Sequence, residues 1–459
     1  MMSGYDAAWL ATVTGGRWTR TPERPLTAVV NDSRRRVQDA LYVALRGERF
    51  DGHAFVANAF LSGAVAAMVE TAAGLPPEAQ GQPLLVVGST QVALSALGAA
   101  YRRQVAPLVV GVTGSVGKST VKEMTASVLS AADVTARTCG NWNNEIGLPL
   151  SLLAMAPQAR YGVFEAGMNH PGEIRRLCDV LQPDWGVVTM IGPVHLEHFE
   201  SEEGIAREKG ELLRALPPDG RAFLCCDDKW FPLLQAMAPC AVRTVSLEGG
   251  ADLVVHHDEA GCQLQVTERG SGEGQRFAWP WAGRHNALNA GFAILVGREA
   301  GLSWVQIKQG LAGYQPLPMR WQEVSIGGCL LINDAYNANP ASMRAALTTF
   351  AGLAGSARRW LVLGDMLEIG ETEQAAHETL GSEVAAAADW AGLLTVGPLA
   401  TWIADGARAQ GMVPERIWRC ADTHTAATVL REQLQPGDAV LLKASRGVAL
   451  EKVIDELGS

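Results

Sequence analysis

The chain lacks any C-x-x-C pair among its eight cysteines, so neither a disulfide framework nor a zinc site is expected. The adjacent Cys225 and Cys226, ending the apolar run AFLCC, read as buried reduced thiols. No uninterrupted apolar run reaches the ~18 residues of a membrane span. The opening MMSGYDAAWLATVTGGRW has neither a basic segment nor a long apolar core, so the expectation is a cytoplasmic protein without membrane insertion. Charge is also scarce, at 19% of residues, and it is acidic on balance, at −10. A general polyanion-binding face is therefore excluded, and nucleic acid is not an expected partner. Repeats, heptads and low-complexity tails are missing as well.

What is present is a hydrophobic share of 48% over 459 residues, enough for about three cores at ~100–200 residues per domain. The fold class expected is α/β throughout, in three domains. Residues 1–89 carry short strands (TAVV, ALYVAL, AVAAMVE, PLLVV) and read as a small α/β domain. Residues 90–315 open with a helix over Gln91–Gln104, and strands then alternate with helices. That alternation predicts a doubly wound, mainly parallel sheet with its ligand at the carboxyl ends of the strands. Between Asp252 and Trp281 apolar and polar residues alternate around GSGEG, which predicts an antiparallel hairpin on that sheet. Pro316 and Pro318 mark the next boundary, and residues 316–459 read as a Rossmann-like α/β domain.

The segment VVGVTGSVGKST, Val109–Thr120, is the strongest chemical signal. Gly111, Gly114 and Gly117 let the backbone turn its N–H groups toward phosphate oxygens, and the helix starting near Ser119 adds its dipole. Lys118 would reach the β/γ-phosphates and Ser119 would place its hydroxyl on Mg²⁺. The first glycine of the usual G-x-x-x-x-G-K-[ST] spacing falls instead on Val112. Two later strand ends offer Glu165 and His195, which with Ser119 form a set able to hold magnesium. In SEEGIAREKGELL, Lys209 and Glu211 read as a solvated helix face. Asn286, with Asn289 close behind, is either an N-cap near Ala287 or a polar clamp on a nucleotide. Arg320 and Asp334 could reach back across a cleft to phosphate and to ribose or metal. NDAYNANP, with Tyr336 and Asn337, is either an asparagine-rich turn before Pro340 or part of a site. Asp365, Glu368, Lys443, Ser445 and Arg446 follow strands on one side of the third sheet, where second substrates commonly bind.

These segments together resemble the Mur ligase family, ATP-dependent amide-forming enzymes of peptidoglycan precursor assembly. The resemblance runs nearly end to end, through DSR, ALRGERFDGHAF, TGSVGKST, GNWNNEIGLPLSLL, EAGMNHPGEI, HLEHF, AREKGEL, GRHN, NDAYNANPASM, GDMLEIG and KASRG. GDMLEIG, and the absence of D-N-P-R, favour the branch that adds D-alanyl-D-alanine to UDP-N-acetylmuramoyl-tripeptide. Two departures stand out: Glu145 replaces an expected aspartate, and PMRWQ replaces P-G-R around Arg320, where glycine would bend more freely than Met319.

The resemblance implies ATP as co-substrate, two magnesium sites served by Ser119, Glu165 and His195, and a carbamylated lysine at Lys209 as a further ligand. It implies catalytic roles for Lys118, His195 and Lys209. Thr113, Gly114, Ser115, Val116, Gly117, Lys118, Ser119 and Thr120 would bind ATP, with Asn286, Asn289, Arg320 and Asp334. Ser33, Arg34, Arg46, Gly47 and the loop to Phe50 would face UDP, and Asn141, Asn143 and Asn144 would line the path of the precursor. Tyr336, Asn337, Asp365, Lys443, Ser445 and Arg446 would serve the dipeptide end. The enzyme is expected to act as a monomer. The competing readings are a P-loop switch or motor and a folylpolyglutamate synthase; the second has no use for the DSR and RGERFDGH segments.

Overall fold

Alternation of short apolar strands with amphipathic helices builds three sheets. The computed structural model describes residues 5–47, 50–194, 197–258, 261–270, 274–353 and 358–458. The first sheet holds β1 (Arg17–Trp18), β2 (Ala28–Val30), β3 (Ala40–Val43), β4 (Ala64–Val69) and β5 (Leu84–Val86). Their order is β1-β5-β4-β3-β2, parallel except for β1. The second comprises β6 (Leu108–Thr113), β7 (Thr135–Arg137), β8 (Tyr161–Glu165), β9 (Trp185–Val188), β10 (Arg221–Cys225), β11 (Ala241–Ser246), β12 (Leu253–Asp258), β13 (Gln263–Glu268) and β14 (Gly274–Ala278). Its order is β14-β13-β12-β11-β10-β9-β6-β8-β7. The third consists of β15 (Gln322–Ile326), β16 (Cys329–Asn333), β17 (Arg359–Gly364), β18 (Gly392–Val396), β19 (Ile417–Cys420) and β20 (Ala439–Lys443), in the order β15-β16-β20-β17-β18-β19.

The second sheet decides where chemistry can occur. From β6 the chain runs outward to β7, returns to β8 beside β6, and then crosses to β9 on the other flank of β6. At such a reversal the loops leave the sheet in opposite directions and open a crevice at the carboxyl ends of the strands. The helix Lys118–Ser130 follows β6 directly and packs on the helix Arg284–Glu299, burying Val121, Met124, Val128 and Leu129 in a shared core. The Asp252–Trp281 region is a three-strand antiparallel meander, one strand more than the expected hairpin; its first strand, Leu253–Asp258, also pairs in parallel with β11 and joins the meander to the sheet.

Other expectations needed adjustment. The edge strands β1, β7, β15 and β19 went unread, being short or largely polar. All eight cysteines are free, but of the adjacent pair read as buried only Cys225 is; Cys226 is half-buried, and Cys139 and Cys262 are exposed. Among the described residues no helix is long and apolar enough to cross a membrane.

The linker from the second to the third sheet is bent sharply. Met319 and Trp321, on either side of Arg320, both adopt left-handed backbone, with φ of 58° and 52°. Cβ sterics disfavour that region by roughly 1–2 kcal/mol in L-residues, so a glycine at 319 would sit there without strain. Met319→Gly should therefore change stability by less than ~1 kcal/mol, relief of strain offsetting the greater entropy of the unfolded chain. Met319→Val, stiff at χ1, should lose roughly 1–2 kcal/mol. Denaturant midpoints of the two variants provide the check.

Candidate active site

The phosphate loop is shaped by two close approaches. Gly114, at φ 148°, lies so near β9 that a Cβ there would sit 1.9 Å from Thr189 Oγ1, and a Cβ on Gly117, at φ 87°, would sit 2.6 Å from Asn289 Oδ1. Both glycines are therefore required by packing as well as by the turn. Thr189 Oγ1 donates to the Val116 carbonyl at 2.6 Å, and Ser115 donates from its backbone to Met190 and from its hydroxyl to Gly192. Thr113 Oγ1 donates to the Ala166 carbonyl. The loop is thus fixed to the ends of β8 and β9 by hydrogen bonds within the protein.

At its tip a buried charge cluster forms. Lys118 Nζ donates to the Gly114 carbonyl at 2.8 Å. Ser119 Oγ donates to Glu165 Oε2 at 2.8 Å, and Asn143 Nδ2 donates to Glu165 Oε1 at 2.8 Å. Glu165 is only 2% exposed, at the very end of β8. Burial lowers the Lys118 ammonium below its usual range; Glu165 opposes that shift and Arg320 adds to it. Lys209 corrects the expectation of a solvated face. It lies on the helix Glu202–Arg214, is 1% exposed, and points into the same charge cluster. Its amine is pushed well below the lysine range, by burial first and then by Lys118, against the pull of Glu208 and Glu165. Glu208 accepts from Gly172 and Ile174 backbone N–H groups at the next helix start, while Glu211 is half-buried and pairs with Arg214. His195 lies outside the described residues.

The third domain completes the cleft. Arg320 Nη2 donates to Ser119 Oγ at 3.1 Å, and its guanidinium lies 4.2 Å from the centre of the Tyr336 ring. Its Nε, and the Trp321 Nε1, are buried without a partner. Lys443, 3% exposed, donates to Asp334 Oδ2 at 2.6 Å and to the Asn337 carbonyl at 3.1 Å. One cavity, about 160 Å³ in free volume, is lined by residues 115–120, Asn286, Asn289, Arg320, Asp334, Tyr336, Asn337 and Lys443. Sequence reasoning missed Trp281, Tyr314 and Trp321 on its walls; isolated aromatics in unmarked segments gave no signal. The helix bearing Asn286 starts at Arg284 with Gly283 as its cap, so Asn286 is not the N-cap, and its Nδ2 donates to the Ala282 carbonyl.

Other expected site residues lie outside this cavity. Asn144 Oδ1 accepts from Ile146 N and Gly147 N, just ahead of the helix Gly147–Leu153, whose N-cap is Ile146. Arg34 is exposed and paired with Asp32, and Ser33 accepts from Ser62 Oγ. Arg46 pairs with Asp51 and Glu70, and Gly47 donates to Phe50. Asn141 accepts from Asn143 N. The polar NDAYNANP segment does reach the cavity, through Tyr336, Asn337 and Asn339, and is also a helix start, with Asn339 the N-cap and Pro340 at the first turn. Asp365 accepts from Ala400 N, Ser445 bridges Leu367 N and the Ala338 carbonyl, and Arg446 pairs with Glu451.

A phosphate loop, a buried carboxylate and a cation delivered by a second α/β domain define a nucleotide-dependent ligase fold with its reaction centre between domains. The comparisons agree. Family models for the Mur ligase catalytic domain, the Mur ligase middle domain and the Mur ligase glutamate ligase domain match residues 25–106, 112–297 and 319–446. The UDP-N-acetylmuramoyl-tripeptide–D-alanyl-D-alanine ligase of Bacillus subtilis is 36% identical over 94% of this chain and 92% of its own. The crystal structure of MurF from Acinetobacter baumannii superposes with a TM-score of 0.87 at 30% identity, covering 99% of this chain and 98% of that one. The MurF ligase of Thermotoga maritima in complex with ADP gives 0.78 at 28% identity over 94% and 97%. The chain belongs to the Mur ligase family.

His377 steadies the loop after β17. Its Nδ1 lies 2.6 Å from the Glu373 carbonyl and its Nε2 accepts from Met366 N at 3.0 Å, so the ring must be neutral. Burial lowers its pKa below the ordinary 6.5, with the Glu373 carbonyl and Asp365 opposing. The folded state thus binds fewer protons than the unfolded chain, and this contribution to stability is lost as pH falls from about 6.5 through the folded value. Stability measured from pH 7.5 down to 5 should fall more steeply for the native chain than for His377→Gln; equal slopes would contradict the assignment.

Proposed function

We propose that the protein uses ATP to join D-alanyl-D-alanine to UDP-N-acetylmuramoyl-tripeptide, giving the pentapeptide precursor of peptidoglycan with ADP and phosphate. The observation that carries the reading is Arg320 reaching Ser119 across the cleft, which brings a third-domain cation to the phosphate loop. A carboxylate is a poor acylating agent because its oxygen leaves badly. Attack of the tripeptide carboxylate on the γ-phosphate yields an acyl phosphate, and Lys118 and Arg320 offset the charge spreading over the transferring group. The amine of the dipeptide then adds to the acyl carbon, and the tetrahedral intermediate expels phosphate. That amine must be unprotonated, against a reference value of about 7.7–8.0.

Ser119 Oγ and the Glu165 carboxylate are hard oxygen donors 2.8 Å apart at the phosphate loop, a set that fits magnesium. The ion, when bound, supplies charge neutralisation at the β- and γ-phosphates. His195 is the proposed contributor to a second site. Lys209 suits carbamate formation: a buried, depressed amine is the nucleophile that adds carbon dioxide and releases a proton, turning a cation into an anionic oxygen ligand. The first domain holds UDP through the loops at Ser33–Arg34 and Arg46–Gly47. The third domain closes over the site during turnover, which keeps water from the acyl phosphate. We place the reaction in the cytoplasm, carried out by a single chain.

Phosphate release with ATP and UDP-muramoyl-tripeptide should depend on added D-alanyl-D-alanine. Hydrolysis indifferent to the dipeptide, or driven by a protein partner, would favour a switch or motor. Lys209→Ala should lose most activity and regain part of it with formate or acetate; no recovery would remove the carbamate.

A further inference from the structure

Lys122 is buried completely, four residues beyond Lys118 on the helix that starts at the phosphate loop. Neither nucleotide nor precursor chemistry has claimed it. Its ammonium donates to the Thr138 carbonyl at 3.2 Å and the Gly140 carbonyl at 2.9 Å, and lies 2.9 Å from Glu123 Oε1. Two N–H groups thus donate to backbone carbonyls, and the same ammonium forms an ion pair with Glu123. Glu123 is held in turn by Arg137 Nε at 3.0 Å. The two carbonyls belong to the strand-to-loop junction that leads into Asn141, Asn143 and Asn144. Thr138 Oγ1 accepts from Glu165 N at 2.8 Å, and Asn143 Nδ2 returns to the Glu165 carboxylate. A closed circuit results: Ser119 to Glu165, Glu165 to Thr138, Thr138 to Lys122, and Lys122 back along one helical turn to Ser119.

A buried ammonium is expensive unless its donors are satisfied, and removing it here would strip a partner from two carbonyls and from the Glu123 carboxylate. Lys122 spends its charge on the backbone of one loop. We propose that Lys122 is a positioning residue that ties the nucleotide-binding helix to the asparagine loop, so that binding of the UDP-muramoyl-tripeptide depends on it while binding of the nucleotide does not. The inference rests on the reaction proposed above. Its dependence on that reading is direct, because the asparagine loop is taken there as the path of the precursor.

The test uses the full chain. Turnover and precursor affinity of the unaltered enzyme come first; no turnover would reject the reaction itself, independently of Lys122. Lys122→Met and Lys122→Gln are then titrated separately with UDP-muramoyl-tripeptide and with ADP, and their unfolding midpoints are recorded. Removing the ammonium bares two carbonyls, so KM and Kd for the tripeptide should rise roughly tenfold or more, while Kd for ADP changes less than about threefold. Lys122→Gln, with a neutral donor on a shorter arm, should lie between Lys122→Met and the unaltered enzyme. Combined with Asn143→Ala, Lys122→Met should cost little beyond the larger single loss, since both act through one loop. Unchanged tripeptide affinity, equal weakening of both ligands in step with a fall in the unfolding midpoint, or multiplicative losses in the double variant would each overturn the proposal.

Discussion

Everything at the centre of this molecule depends on keeping the Glu165 carboxylate out of water beside one buried lysine, Lys209, and one half-buried lysine, Lys118. An isolated carboxylate in that position would cost several kcal/mol. Here it accepts from Ser119 Oγ and Asn143 Nδ2, and the Lys118 and Lys209 amines stand close enough for their charges to be felt. The carboxylate and its partners come from four places in the chain: the end of β8, the helix after β6, the loop after β7 and the helix after β9. Only the crossing of the chain from β8 to β9 around β6 brings all four to one point, so the sheet order and the charge cluster are one constraint.

The cluster explains the division of labour between domains. The second sheet supplies a phosphate loop held in shape by Thr189, Met190 and Gly192, and therefore preorganised. The third supplies Arg320, whose position is set by a linker with left-handed backbone on both sides of it and by the Tyr336 ring beneath. Lys443 is spent inside the third domain, neutralising Asp334 at the wall of the cleft. A ligase that makes a water-sensitive intermediate benefits from such an arrangement, because the group completing the site arrives with the element that shuts out solvent.

Much of this was legible in the residues. TGSVGKST declared a phosphate loop by composition alone, and Glu165 was visible as the polar end of an apolar strand. Strands with long β-branched runs, such as LVVGVT and AVLLK, were readable; β7 and β19 were not, because edge strands carry polar residues that break the pattern. Lys209 was illegible for a different reason. AREKGEL has the charge of a solvated helix face, and only tertiary packing turns that face toward Lys118 and Glu165. Asn144, polar enough to suggest a ligand contact, turns its side chain to the Ile146 and Gly147 N–H groups, while Asn339 both caps a helix and lines the cavity, choices that local sequence leaves open.

In the proposed reaction the cluster serves to phosphorylate a carboxylate before an amine attacks it. Tripeptide precursor labelled with ¹⁸O in its terminal carboxylate decides this directly when turned over with ATP and the dipeptide. Passage through an acyl phosphate leaves one labelled oxygen in the released phosphate for each amide bond formed. Phosphate free of label, with the amide bond made, would contradict the account.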